Sequence, residues 1–299
     1  MQRVRVTLFG QTTAVLPDGQ TVVDFGGARP RQILGILAAA TGTPVSKDRL
    51  IEQLWDGNPP RTCTDTLESY VALLRRRTGL PSGPNSPLAT TRNGYLLDAE
   101  QVEVDLHTFR RKVREASDAT PQEALRRSEE ALHLVAGPLL ASEPYADWAV
   151  RERDHFQTEY LGTCNEAASH ALGASCPSKS VELARRAIAT DAVCETSWEL
   201  LIRGLAATGA RSEALCAYLD LRETLAASLG AEPSPTCQAL FAELLAQDSR
   251  ESDASSTWLH EVRTLLDCLR DAVDGCSDLD LSPHDRRLTQ RVRRLLVVA

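Results

Sequence analysis

Three consecutive arginines, Arg75–Arg77, end a stretch of chain whose apolar residues recur at helical spacing. In the sequence TLESYVALLRRRTG, Leu67, Val71 and Leu74 repeat every three or four positions, which predicts one buried face of a helix. Arginine on the opposite face of such a helix can bind guanine edges or phosphate oxygens of DNA. Cations near a helix C-terminus also offset the helix dipole without any ligand. The neighbouring elements decide between these two interpretations.

DNA contact is expected on the face opposite the leucines. A rotation of about 100° per residue from Leu67 places Asp65, Ser69, Ala72 and Arg76 there. Arginine can bind guanine bidentately, and serine or threonine hydroxyls can bind phosphates or bases. The DNA-contacting residues predicted in this stretch are Thr62, Thr64, Ser69, Arg75, Arg76 and Arg77.

Further cations of the N-terminal region are candidates for phosphate contact. Lys47 and Arg49 begin the preceding predicted helix, where free backbone N–H groups favour a phosphate, although simple solvation also explains Lys47. Arg92 lies beside a predicted hairpin turn, from which it can reach the DNA backbone or the minor groove; the alternative is an ordinary polar hairpin. Arg29 and Arg31, at the start of the first predicted helix, have less support.

The elements around this helix are predicted from the period of their apolar residues. Polar and apolar residues alternate in RVRVTLF from Arg3, and a Pro-Asp-Gly turn divides AVLPDGQTVVDF into two further strands. Helical spacing follows in RQILGILAAATG and in KDRLIEQLW, for which Ser46 is the predicted N-cap. After the arginines, Asn93-Gly94 favours a tight hairpin turn. A small sheet, three helices and a hairpin in this order predict a winged helix-turn-helix domain over residues 1–98.

Strand signals stop after Asp98, and successive amphipathic stretches follow to Gln247. Small residues recur where paired helices must approach closely, at a period near 34 residues that is typical of tetratricopeptide-like repeats. These small residues are Ala184, Ala187, Ala206, Ala207, Gly209, Ala214 and Ala217. The predicted fold is therefore mainly α, with an α+β winged helix followed by an all-α helical array at residues 99–248.

Beyond this array the sequence predicts a polar linker, DSRESDASS, and a helical extension at residues 256–299. The last predicted helix starts at Ser282-Pro283 and carries arginines beside leucines. Its preferred interpretation is a helix that docks on the acidic array. A second contact with DNA or with another copy of the chain is the alternative.

The charge of the chain is divided between its two main regions. Residues 1–98 contain 11 Lys+Arg and 8 Asp+Glu, a net charge of +3, and the remainder contains 22 and 33, a net charge of −11. The total of −8 argues against a generally basic nucleic-acid coat. At 299 residues the chain is long enough for two or three domains.

The residue types needed for catalysis or metal binding are not clustered. The 8 cysteines form no C-x-x-C pair, and none of the 6 histidines has a histidine partner one helical turn away. No Gly-rich phosphate loop occurs, and no apolar run is long enough for a membrane span. The sequence therefore predicts no enzyme, metal or cofactor, and a cytoplasmic protein with reduced cysteines in its core. Trp148 and Trp198 are interpreted as packing anchors of the helical array.

Several motifs in order resemble the SARP regulators, the Streptomyces antibiotic regulatory proteins. RLIEQLW with the following Pro-Pro, TLESYV, LRR and GYLL resemble the family's OmpR-type winged helix. ERDHFQTEY after Trp148, GARSEALCAYLDLRETL and LGAEPSP resemble its bacterial transcriptional activation domain. The resemblance extends from about Arg3 to Gln247 and leaves out the final helices.

The resemblance implies a transcriptional activator of a biosynthetic gene cluster. Such proteins bind direct repeats of double-stranded DNA near promoters, often as side-by-side protomers, and recruit RNA polymerase through its sigma and alpha subunits. Because few phosphate contacts are available to one protomer, we expect tight binding to require two half-sites about one helical turn apart.

A second hypothesis is a protein-binding adaptor whose winged helix no longer reads DNA. Asp65 and Glu68 would face a polyanion, and a carboxylate there is useful only if it accepts from cytosine or orients a neighbouring arginine. Family members commonly carry a polar or basic residue at the position of Leu73 and an uncharged donor at that of Glu68. These three residues and the low positive charge of the domain keep the adaptor hypothesis open.

Overall fold

A computed structural model of the chain describes residues 3–83 and 86–251. The chain divides into two units, Met1–Ser234 and Pro235–Ala299. The strands are β1 (Val4–Thr7), β2 (Thr13–Val15), β3 (Thr21–Val22), β4 (Val45–Ser46), β5 (Leu88–Thr90), β6 (Gly94–Leu97) and β7 (Val102–Val104). The helices are α1 (Ala28–Ala39), α2 (Lys47–Trp55), α3 (Cys63–Thr78), α4 (Asp105–Ser117), α5 (Pro121–His133), α6 (Asp147–Gly173), α7 (Pro177–Thr190), α8 (Glu195–Ala207), α9 (Arg211–Leu229) and α10 (Pro235–Glu251).

The N-terminal sheet has the order β3-β2-β1-β7. Strand β1 pairs antiparallel with β2 and parallel with β7, so that Val4 lies opposite Val102. The expectation that strand signals stop after Asp98 was therefore wrong. A strand of three residues is too short to show a clear alternation, and its partner lies at the other end of the domain sequence.

The predicted three-helix core is confirmed. Leu37 of α1, Leu50 and Leu54 of α2, and Leu74 of α3 are fully buried. Ser46 is the N-cap of α2, because its Oγ accepts a hydrogen bond from the backbone N of Arg49 at 3.2 Å. This cap and the buried leucines fix the direction in which α2 leads the chain towards α3.

The wing is a hairpin of β5 and β6, to which β4 adds a third strand. The Thr91 N donates to the Gly94 O at 2.9 Å, so Arg92 and Asn93 form its tip. The hairpin was predicted correctly, but its reason was wrong, because neither Asn93 nor Gly94 has a positive φ. Gly94 is needed for space: a Cβ there would lie 1.9 Å from the Val45 O.

The helices from α4 to α9 each pack against the next in sequence, as predicted for a helical array. Helix α7 begins at Pro177 and α9 at Arg211, which matches the expected period of about 34 residues. Among the predicted small residues, Ala184, Ala187, Ala214 and Ala217 are buried, whereas Ala206 is half-buried and Ala207 and Gly209 are exposed. The close approach of α7 and α8 uses Gly204, where a Cβ would lie 3.0 Å from Cγ2 of Val181.

The winged helix and the first helices of the array share a packed junction. The carboxylate of Asp105, the first residue of α4, accepts from the backbone N of Leu8 at 2.9 Å and of Phe9 at 3.0 Å. The ring of Phe9 lies 6.3 Å from that of Phe109 and 5.0 Å from that of Phe156, measured between centroids. One apolar core therefore continues from the sheet into the array.

Both tryptophans are packing residues, as interpreted. Trp148 of α6 is buried against α1, where a Cβ added to Gly35 would lie 2.9 Å from Cη2 of the indole. Trp198 of α8 is also buried, and its Nε1 donates to the Ala192 O at 2.9 Å. Trp148 thus belongs to the junction with the winged helix as well as to the array.

The second unit is described only in α10. This helix continues to Glu251, so the first residues of the predicted polar linker are helical. The rest of that linker and the extension predicted at 256–299, with its basic final helix, lie outside the described residues.

Six cysteines fall in the described part of the chain, all of them free; Cys164 and Cys237 are buried as expected, but Cys176 and Cys216 are exposed. Within residues 3–83 and 86–251, no helix combines the length and apolar character that a bilayer crossing requires.

Candidate nucleic-acid interface

Helix α3 buries one side and leaves the other in solvent. Its leucine stripe packs into the winged-helix core, and Leu67, Val71 and Leu74 are all buried. The opposite side has the following exposed residues, which together are called the open face: Thr64, Asp65, Glu68, Ser69, Ala72 and Arg76. The predicted orientation of α3 therefore agrees with the structure.

The hydroxyl groups near the start of α3 differ in the hydrogen bonds that they make. Thr62 is the N-cap, but its side chain makes no capping hydrogen bond, and it is exposed together with Thr64. Ser69 donates from its Oγ to the Asp65 O at 2.9 Å, which leaves the lone pairs of the hydroxyl oxygen available to a donor. Both threonines and Ser69 are therefore placed where a ligand can reach them.

The three arginines have three different environments. The Nη2 of Arg75 donates to the Leu88 O and to the Thr90 Oγ1, each at 2.8 Å, and its guanidinium lies over the Tyr95 ring at 5.8 Å. Arg76 points outward on the open face. Arg77 is also exposed, with its Nη1 at 3.8 Å from Asp24 Oδ2. The sequence treated the three as one group, but the structure places Arg75 against the hairpin and leaves only the other two accessible.

Lys47 is paired with a residue of the open face. Its Nζ lies 2.5 Å from Oε1 of Glu68, and this hydrogen bond raises the pKa of Lys47. The backbone N of Lys47 also donates to the Asn93 O at 2.9 Å, at the tip of the wing. The sequence suggested either a cytosine amino group or a neighbouring arginine as the partner of a carboxylate on this face. The structure supplies a lysine, at the point where α2, α3 and the wing meet.

Arg92 is exposed at the tip of the hairpin, as its position beside the turn predicted. The arginines of α1 are not free in this way. Arg31 donates from Nε to Glu143 Oε1 at 2.6 Å and from Nη2 to the Ser142 O at 3.2 Å. Arg29 donates to the Leu54 O and its guanidinium lies over the Trp55 ring. Both side chains hold protein elements together, so the start of α1 is not an open phosphate site.

The sequence did not single out Glu143, which is almost completely buried between the winged helix and the array. It accepts from Arg31 and, through Oε2, from Gln32 Nε2 at 2.9 Å. The isolated acid in ASEPYADW carries no periodic or motif signal, so only the fold shows its role at the domain junction.

Leu73 lies off the open face. It is half-buried, and a Cβ at Gly26 would lie 2.6 Å from its Cδ2. The sequence counted Leu73 as a departure that affects DNA readout. In the structure Leu73 instead packs between α3 and the loop before α1. It is therefore no longer one of the residues that favour the adaptor hypothesis.

In the described ranges 3–83 and 86–251, no group of three or more His, Cys, Asp or Glu residues is arranged to hold a metal ion. The open face of α3 offers hydroxyl and guanidinium donors and two carboxylate acceptors, so it can interact through hydrogen bonds and charge.

Two known domains match the chain in the order found in the structure. Residues 26–97 match the family described as transcriptional regulatory protein, C terminal, and residues 104–245 match the bacterial transcriptional activator domain. Regulatory protein DnrI of Streptomyces peucetius is 29% identical over 230 residues, which are 74% of this chain and 85% of that protein. Transcriptional regulator RedD of Streptomyces coelicolor is 26% identical over 242 residues, 78% of this chain and 69% of that protein.

A solved structure has the same fold. EmbR of Mycobacterium tuberculosis, in complex with a low affinity phosphopeptide, matches with a TM-score of 0.72 and 26% identity, over 89% of this chain and 71% of that chain. The winged helix followed by the activator domain defines a class of bacterial transcriptional regulators. This chain belongs to the SARP family within that class, as the sequence motifs predicted.

Proposed function

We propose that the chain is a sequence-specific DNA-binding activator, acting in the cytoplasm on promoters of a secondary-metabolite gene cluster. The observation that carries this proposal is the open face of α3, which presents Arg76, Thr64 and Ser69 to solvent while the leucines on its other side hold the helix rigidly. A helix of this kind fits the major groove, where arginine reads guanine.

In the proposed complex, α3 enters the major groove and the wing follows the backbone. Arg77 and Arg92 are exposed cations suited to phosphate contact. Arg75 acts indirectly, because its bonds to Leu88 and Thr90 fix the wing beside α3. The relative position of helix and wing is thus set before DNA binds, which lowers the cost of ordering on binding.

Tight binding is proposed to require two protomers on direct repeats. Each phosphate-contacting cation contributes roughly one unit to the salt dependence, and one protomer offers only a few such cations. Two recognition helices share one DNA side when their half-sites are about one helical turn apart. A footprint with a single protected half-site at full affinity would contradict this arrangement.

Activation is assigned to the helical array. Its proposed role is to recruit RNA polymerase through the sigma and alpha subunits, as the family resemblance implies. The match of residues 104–245 to a domain named for transcriptional activation supports the activating role. Control of a biosynthetic cluster is proposed from the resemblance to the Streptomyces antibiotic regulatory proteins, and two of the similar regulators are from Streptomyces.

The competing function is a protein-binding adaptor, which the carboxylates of Asp65 and Glu68 on the open face favour. A gel-shift experiment with the upstream regions of the neighbouring genes separates the two. The activator predicts saturable, sequence-dependent shifts that weaken steeply with salt. If no sequence-dependent shift occurs even at low salt, the adaptor is the correct function.

A further inference from the structure

Glu68 is a carboxylate at the centre of the open face, where negative charge opposes the binding of a polyanion. Its side chain is 51% exposed, and Thr64 and Ala72 lie one helical turn before and after it. Asp65 lies in the first turn of α3, where an acid interacts favourably with the helix dipole. Glu68 lies beyond that turn, so the dipole does not account for it.

The ion pair with Lys47 does not account for a carboxylate at this position through folding stability alone, since exposed ion pairs contribute little to it. The pair does fix the carboxylate. Oε1 is bonded to Lys47 Nζ at 2.5 Å, and among the described residues Oε2 has no protein donor. Lys47 is itself held at the start of α2, where its backbone N bonds to the Asn93 O. One oxygen is therefore anchored and the other is available on the open face.

A carboxylate oxygen in the major groove needs a donor on a base edge. Guanine presents two acceptors there, and thymine presents an acceptor and a methyl group. Adenine has an amino donor beside its N7 acceptor, which repels a second carboxylate oxygen, whereas the N4 amino group of cytosine is a donor without that neighbour. The positive charge of Lys47 compensates the negative charge of Glu68, so the pair approaches DNA without net repulsion.

We propose that Glu68, held by Lys47 as a positioning residue, selects a cytosine in each half-site by accepting a hydrogen bond from its N4 amino group. This inference rests on the proposed function and adds the base that one residue reads. It assigns Lys47 to Glu68 rather than to a phosphate. The carboxylate that seemed to argue against DNA recognition then becomes one of its determinants.

The test is selection of binding sequences from a random DNA library by the full chain. Wild type, Glu68→Ala, Glu68→Gln and Lys47→Met are compared with Glu100→Ala, which removes an equal charge from an exposed site in the turn between β6 and β7. In wild type we expect one position per half-site to prefer cytosine about tenfold. Glu68→Ala and Glu68→Gln should lose that preference and keep the others, Lys47→Met should weaken it, and Glu100→Ala should leave it unchanged.

The outcomes separate the two levels of the proposal. If wild type enriches no sequence, the DNA-reading function fails and this inference fails with it. If wild type enriches a consensus that both Glu68 variants reproduce, only the inference is overturned. A cytosine preference that survives in Lys47→Met, together with a salt dependence reduced by about one unit, would show that Lys47 binds a phosphate and would overturn its positioning role.

Discussion

Arg75 of α3 lies over the ring of Tyr95 in β6, with 5.8 Å between the guanidinium carbon and the ring centroid. The same guanidinium donates to the Leu88 O and the Thr90 Oγ1 on the neighbouring strand β5. Because these contacts reach both strands of the hairpin, one side chain joins the end of α3 to the wing. The position of the wing relative to the open face therefore depends on Arg75.

Replacing Arg75 should weaken the domain rather than remove a DNA contact. We expect Arg75→Ala to lower the free energy of unfolding by about 1–3 kcal/mol, because it removes hydrogen bonds from a charged group. Arg76→Ala should change it by less than about 0.5 kcal/mol, since that side chain is exposed. Urea unfolding of both variants measures the difference, and equal effects would contradict the assignment of Arg75 to packing.

Replacing Arg92 should weaken DNA binding and leave the stability of the domain unchanged. We expect Arg92→Ala to keep wild-type stability, to weaken binding to specific and nonspecific DNA by similar factors, and to reduce the slope of log K against log salt by about one. Arg203→Ala, at an exposed position of α8, is the control for the loss of charge. An unchanged salt slope in Arg92→Ala would show that the wing tip does not contact a phosphate.

Two glycines in helix interiors should respond to alanine with opposite signs. Gly35 of α1 packs on Trp148, where the new Cβ would lie 2.9 Å from Cη2, so Gly35→Ala should destabilise by about 1–3 kcal/mol. Gly162 of α6 has no neighbour within 4 Å of a Cβ, and Gly162→Ala should stabilise by about 0.5–1 kcal/mol. Thermal and urea unfolding check both signs. Equal effects would mean that Trp148 does not pack tightly on α1.

Asp105 should give the domain junction a defined pH dependence. Burial raises the pKa of its carboxyl, although hydrogen bonds from Phe9 N and Leu8 N act in the opposite direction. An acid whose pKa is raised in the folded state binds its proton more tightly there than in the unfolded chain. The contribution of Asp105 to stability is therefore largest below its ordinary pKa and falls as pH rises through the raised value.

The measurement is the free energy of unfolding of wild type minus that of Asp105→Asn, from about pH 4 upward. The subtraction removes the titration of other carboxyl groups. We expect the difference to decrease with rising pH and then to level off once Asp105 is ionised. An increase over the same interval would mean that the hydrogen bonds outweigh burial.

The helices and their buried sides were predictable because each signal is local. The leucines of α3 repeat along one face, and the Ser46 cap depends only on the first residues of α2. Residues close in sequence therefore contain the whole pattern. The same holds for the exposed side of α3, which follows from the position of Leu67, Val71 and Leu74. The short strand β7 was not predicted, because its partner β1 is distant in sequence and its own pattern is only three residues long.

The candidate site was predictable as a face but not as a set of partners. Sequence alone predicted a DNA contact for Arg75, Arg76 and Arg77 alike, and it counted Leu73 as a departure from the family that affects DNA readout. Only the fold assigns Arg75 to the hairpin, and only the fold places Leu73 on Gly26. These pairings join residues on different elements, so no spacing along the chain contains them.

By itself, the amino-acid sequence determined the class of the protein: a winged helix with a leucine-backed third helix, followed by an acidic helical array. The periods of the apolar residues, the turn residues and the charge can all be read along the chain, and together they predicted this architecture. The tertiary structure alone decided that Glu68 is paired with Lys47 and that Arg31 is paired with the buried Glu143. The physical reason is that an ion pair forms wherever packing brings two side chains within a few ångströms, and that distance is set by the whole fold.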